Sequence, residues 1–286
     1  MWAAVRVALA TGCPVIRAGY ITWDGLPVGH HKQRTHHMRR IVFYEGPSPI
    51  DGSPIIGITQ DLDYQSANAK TGDLVQTYLM HRDIAPHDAI RSGDDVAVCG
   101  DCGHRSVASG GSGACYVLAF RGPLAVWQAY HRGNVIRPDV SELPAHLDGR
   151  MVRMGTYGNP SVVPSPTWRA MLQDAKGWTG YDHRWPDLDA SEWADLVMAS
   201  VDTPAEATIA HSLGWRTFRT RLATEALQPW ERVCPAAEEA GKVLDCASCR
   251  QCDGTSRGAR RPSVAIVAHG PKVNRYTGWR KAEGGA

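Results

Sequence analysis

What the chain lacks narrows its function first. No stretch reaches the roughly 18 consecutive apolar residues of a membrane span, and Arg6 and Arg17 interrupt the apolar opening that a secretory signal needs. The reading is therefore cytoplasmic, with no membrane partner. Charge of one sign is missing too. The 31 Lys and Arg stand against 29 Asp and Glu, a formal +2, so a nucleic-acid surface, if present, has to be local. No G-x-G-x-x-G or G-x-x-x-x-G-K-[ST] follows a strand, which removes the common nucleotide-cradling loops.

What the chain does have is cysteine, and the cysteines are grouped. Of the eight, Cys246, Cys249 and Cys252 form C-x2-C-x2-C, a spacing that suits convergence on a metal better than mutual disulfides. Cys234 precedes them by eleven intervening residues, so four thiolates can close a tetrahedral zinc site. The same set suits an iron–sulfur cluster, and spacing alone does not separate the two. A second group, Cys99, Cys102, His104 and Cys115, is also an admissible three-thiolate, one-imidazole set, or else a pair of free thiols in a turn. Cys13 stands alone.

Along the chain, residues 1–40 differ from the rest. His30, His31, Lys32, Arg34, His36, His37, Arg39 and Arg40 form a basic, His-rich stretch without period, which reads as an unordered arm. Residues 41–286 read as one α/β domain in which short Val/Ile/Tyr-rich runs alternate with helix-like segments. Strands are predicted at 55–59, 116–120, 152–157, 180–185, 196–201, 217–222, 232–235 and 264–269. Helices are predicted at 72–81, 123–132, 166–175, 204–213 and 236–241. This rhythm is best met by a (β/α) barrel, complete or irregular, with the four-cysteine loop at 234–252 and working side chains at the C-terminal ends of strands.

On that frame the candidate acids are Asp202, after the apolar run ending at Val201, with Asp182 and Asp51. Asp202 or Thr203 equally serves as the N-cap of a helix opened by Pro204 and closed by Gly214. Tyr157 and Asn159 offer a phenol and an amide for a planar base edge, or an ordinary Asn-Pro turn. His183 and His269 are further rim candidates. Arg153, Arg184, Arg216, Arg219, Arg221 and Arg232, beside Trp168, Trp185, Trp215 and Trp230, are the types that contact phosphates and bases, and also the types that flank a core.

Several stretches carry a likeness: Lys70-Thr-Gly-Asp-Leu-Val-Gln-Thr-Tyr, Cys99-Gly-Asp-Cys-Gly-His-Arg, Cys115-Tyr, Met154-Gly-Thr-Tyr-Gly-Asn-Pro, Val197-Met-Ala-Ser-Val-Asp, Val233-Cys-Pro-Ala and the terminal cysteines before Ile-Val-Ala-His-Gly. Together, over roughly residues 45 to 270, they resemble phage-encoded DNA-guanine transglycosylases, relatives of the tRNA-guanine transglycosylases. The resemblance implies a zinc-bearing (β/α) barrel that exchanges guanine in viral DNA for a 7-deazaguanine base such as 7-cyano-7-deazaguanine, protecting the DNA from restriction. It implies Asp202 as nucleophile, Asp182 or Asp51 as acid and base, and Tyr157, Asn159, His183 and Arg221 as substrate contacts. The cysteine pattern departs from that family's Cys-x-Cys-x2-Cys…His, and no Asp-Ser-Gly-Gly is present. A second likeness, to phage proteins with a Cys-rich motif before Cys-Tyr, implies a cluster-binding radical enzyme. A zinc-stapled DNA-binding module is the third expectation.

Overall fold

In the computed structural model the described residues are 39–66, 68–241, 244–258 and 260–284. The arm expected over residues 1–40 lies outside them apart from Arg39 and Arg40; Arg39 pairs with Asp63 at 2.8 Å. The first sheet opens with β1 (Val42–Pro47) and β2 (Pro54–Thr59), an antiparallel hairpin. Then β3 (Leu74–His81) runs antiparallel to β2, and β4 (Met151–Tyr157) and β5 (Gly177–Thr179) continue it in parallel. The second sheet has the order β6 (Tyr181–Asp182), β7 (Met198–Val201), β8 (Thr217–Arg221), β10 (Ser263–Val267), β9 (Glu231–Val233), all parallel.

One residue carries the chain from the first sheet to the second. Gly180 stands between β5 and β6; its N–H donates to Cys252 O (2.8 Å) and its carbonyl accepts from Met198 N (3.0 Å). A Cβ there would lie 2.8 Å from Val197 Cγ1 and 3.2 Å from Met154 Sδ, so glycine is what lets the strands pass so closely. The fold is mixed α/β with two sheets rich in parallel pairs.

The core explains several assignments. Residues 72–81, expected as a helix, form β3: seven of its eight residues are buried, and a strand covered on both faces reads as a continuous apolar run without period. Residues 116–120, expected as a strand, form none. Tyr116 and Phe120 are exposed there, so the run has no sheet to bury it. Segment 236–241 holds only a short 3-10 turn, Glu238–Ala240. The helices Gly122–His131, Ser165–Leu172 and Pro204–Ser212 fall where predicted. Thr203 is the N-cap of the last, in a capping box with Glu206, and Pro204 opens it. The strand β1 and the helices Pro86–Ser92, Leu143–Leu147 and Val273–Ala282 were not expected.

Most of the arginines and tryptophans that could have met a nucleic acid serve the interior. Trp168 and Trp215 are fully buried. Arg219 forks onto the Glu231 carboxylate at 2.8 and 2.7 Å and reaches Glu225 at 3.2 Å. Arg216 bonds the carbonyls of Gly254 and Pro262. Arg221 donates to Glu225 O (2.7 Å) and pairs with Glu239. Buried guanidiniums need such partners to be tolerated, and those partners leave them little to offer a ligand. Among the described residues no helix is long and apolar enough to cross a membrane.

Candidate functional site

The strands point alternate residues at one cavity of about 480 Å³. Its walls take Arg153, Gly155, Thr156 and Tyr157 from β4, Thr179 from the end of β5, Tyr181 and His183 from β6 and its exit, Phe218 and Thr220 from β8, and Val264, Ile266 and Ala268 from β10 and its exit. Thr156 apart, these positions alternate along the strands, so both sheets turn one face to the same space.

Both cysteine groups meet there. Cys99, Cys102, Cys115, Cys234, Cys246, Cys249 and Cys252 all line the cavity, and all seven are free thiols. The first three stand past the end of β4, where Asn159 Nδ2 donates to Cys99 O (3.0 Å). The others stand by the loop before β3: Cys246 N donates to Lys70 O and Ala247 N to Thr71 O, both 3.1 Å. Asp245 caps the one-turn helix Cys246–Cys249 through Ser248 N (2.7 Å). Burial pushes the thiols of Cys99, Cys102, Cys115, Cys246, Cys249 and Cys252 up from their ordinary values, and neighbouring thiols add to the rise in most of them. Cys13 lies outside the described residues.

Among the described residues, no three Cys, His, Asp or Glu side chains are placed to share one metal ion. A tetrahedral zinc–thiolate site holds its sulfurs about 3.8 Å apart, from Zn–S bonds of about 2.3 Å. The donor chemistry of the two cysteine groups suits a thiophilic metal. In a polynuclear cluster each thiolate binds a different iron, so the sulfurs stand farther apart.

The candidate acids fall in three different settings. Asp202, at the end of β7, is buried, and its Oδ2 meets His104 Nε2 at 2.7 Å. Burial alone would raise Asp202, but the His104 hydrogen bond and charge, His183 and the Tyr276 hydroxyl outweigh it and hold the carboxyl below its ordinary range. His104 lines the cavity and Asp202 stands behind it. Asp182 is fully buried and accepts from Ser161 N (2.7 Å) and Arg184 N (2.8 Å); burial raises it. Those bonds tie a turn, and the side chain is not on the cavity wall. Asp51 is exposed in the β1–β2 turn and accepts from Ser53 N (2.9 Å).

Of the expected substrate contacts, Tyr157, Asn159 and His183 line the cavity and Arg221 does not. The Tyr157 hydroxyl is buried with no hydrogen-bond partner among the described residues. Asn159 Oδ1 accepts from His183 N (3.1 Å), and His183 Nε2 meets Ser200 Oγ at 3.1 Å. Lys272, Tyr276 and Trp279 were missed. The helix Val273–Ala282 that carries the two aromatics has mostly polar residues, which hid it, yet it packs Tyr276 and Trp279 edge-on against the His104 ring at 5.7 and 5.4 Å.

No family model matches the chain, and no curated protein and no solved structure matches it either.

Proposed function

We propose that the protein is a metalloenzyme of redox or radical type, with an iron–sulfur cluster on Cys99, Cys102 and Cys115 and a closed four-thiolate group, zinc or a second cluster, on Cys234, Cys246, Cys249 and Cys252. The observation that carries this reading is the cavity wall itself: seven thiols and not one carboxylate among the described residues that line it. Four thiolates saturate a group and suit a structural or electron-relay role, whereas three leave a coordination position for a ligand. A cluster so held supplies one-electron chemistry. The chain's own residues would do the rest: Tyr157 has a buried hydroxyl with no partner among the described residues, Asn159 fixes the Cys99 carbonyl, and Asp202 orients the His104 ring on the wall. The period-two lining also favours reading the two sheets as an irregular (β/α) barrel around this space.

The test is iron, sulfide and zinc analysis of protein purified without oxygen, beside Cys102→Ser and Cys249→Ser. Iron with sulfide, lost in part with Cys102→Ser, is the expected result. Zinc alone, lost with Cys249→Ser, overturns the cluster reading.

A second reading, DNA-guanine transglycosylation with DNA and a 7-deazaguanine as partners, is favoured by one observation. Asp202 is an ionised carboxylate at the end of a parallel strand, one side chain removed from the cavity, where a nucleophile belongs in a barrel. It requires Asp202 to leave His104 and leaves Asp182 and Asp51 without a role. Exchange of labelled guanine in duplex DNA, abolished by Asp202→Ala, would establish it in place of the first.

A further inference from the structure

We infer that the Tyr157 hydroxyl donates a hydrogen bond to the sulfur of Cys99 or Cys115 when those residues act as ligands, and so sets the potential at which the group they hold takes an electron. This rests on the cluster reading proposed above and names the residue that tunes it.

Tyr157 closes β4 and is buried. Its hydroxyl is shut off from solvent and has no hydrogen-bond partner among the described residues. A phenylalanine would fill nearly the same space without stranding a polar group, and a buried hydroxyl without a partner is costly. The backbone on both sides of the ring is fixed. In register, Tyr157 pairs with Tyr78 of β3. On the other side the short helix Val96–Cys99 is bound to the exit of β4: Asn159 N donates to Val98 O (2.7 Å), Asn159 Nδ2 donates to Cys99 O, and a Cβ on Gly158 would lie 3.2 Å from Val98 Cβ. The phenol is thus held between β3 and the stretch that carries the first cysteine.

Burial keeps Tyr157 protonated far above the ordinary phenol range, and the groups whose charge it feels most are Cys99, Asp95 and Cys115. Asp95 Oδ1 already accepts from Arg105 (2.5 Å) and Ser109 (3.4 Å). The two sulfurs remain. A protonated thiol is a weak acceptor, whereas the sulfurs of an iron–sulfur group accept hydrogen bonds that tune it, so ligation is what supplies the phenol with a partner. The second thiol group makes the same kind of pair: burial raises Cys252, and a hydrogen bond with the Tyr181 side chain opposes the rise. A hydrogen bond to a ligating sulfur offsets part of the negative charge gained on reduction, which raises the potential.

The rival use of the hydroxyl is to hold a substrate, so the test contains none. The full chain, purified without oxygen, is titrated redox-potentiometrically beside Tyr157→Phe and Tyr78→Phe, with iron and sulfide read on the same samples. Tyr78 is a buried phenol paired with Tyr157 but is not among the cavity-lining residues, so its variant reports loss of core packing alone. Tyr157→Phe should keep its iron, and the couple that Cys102→Ser abolishes should move to lower potential, while Tyr78→Phe leaves it in place. The inference is overturned if that couple does not move, if Tyr78→Phe moves it equally, if the couple that moves is one that Cys102→Ser retains, or if Tyr157→Phe loses its iron as fully as Cys102→Ser. A native chain without iron and sulfide defeats the cluster proposal and this inference with it; iron with an unmoved potential defeats this inference alone.

Discussion

At the scale of single residues the same side-chain type has three fates, decided by what surrounds it. Asp202, Asp182 and Asp51 looked alike as acids at strand ends or turns. The structure gives one an imidazole, one a pair of backbone N–H groups and one only its own exposed turn. The Asp202 carboxyl is lowered in the fold, so its contribution to stability is complete above the unfolded value near about 3.9 and is lost as pH falls through the folded one. Thermal melts of the native chain should therefore drop below about pH 4 by more than those of Asp202→Asn, whose profile should be flatter there. At neutral pH, Asp202→Ala strands His104 beside a vacated partner and should cost about 3 kcal/mol by denaturant titration. Asp182→Ala leaves the Ser161 and Arg184 N–H groups without an acceptor and should cost about 2–4 kcal/mol by denaturant titration. Asp51→Ala should stay within about 0.5 kcal/mol of the native chain. Cysteine spacing alone made the two thiol groups legible, because few other uses explain C-x2-C-x2-C. That both groups face one space was not legible, since it depends on which strands are neighbours.

At the scale of elements, sequence reading succeeded where a local rule decides and failed where burial does. Thr203, Pro204 and Glu206 spell a helix start whatever packs on it, and Thr203→Ala should cost about 1 kcal/mol in chemical denaturation. In β3, by contrast, Leu74, Val75, Tyr78, Leu79 and Met80 are all buried, and a run buried on both faces carries neither a period of two nor one of 3.6. The last helix was invisible for the opposite reason: it buries only Tyr276 and Arg280. The turn after β4 is a further element-level constraint. Gly158 sits at φ +83°, and a Cβ there would lie 2.8 Å from both the Leu79 carbonyl oxygen and its Cβ. Gly158→Ala should cost more than about 1 kcal/mol by denaturant titration and, on the cluster proposal above, should lower iron per chain by shifting Tyr157 and Asn159.

At the scale of the whole molecule, the mixed α/β class followed from the alternation of runs, but the division into two sheets did not, because the short strand at 177–179 was not expected and the one expected at 180–185 showed only the second side of the crossing. A single glycine makes the transfer, and on either side of it the chain serves different ladders around a shared space. The two halves are therefore not separable modules. Residues up to 179 supply Cys99, Cys102, Cys115 and Arg153, and those beyond supply Cys234, Cys246, Cys249, Cys252 and Lys272, while Cys246 and Ala247 hang on the backbone of Lys70 and Thr71. Co-expressed fragments cut at 180 would each expose half of a wall, so neither half alone can close the cavity.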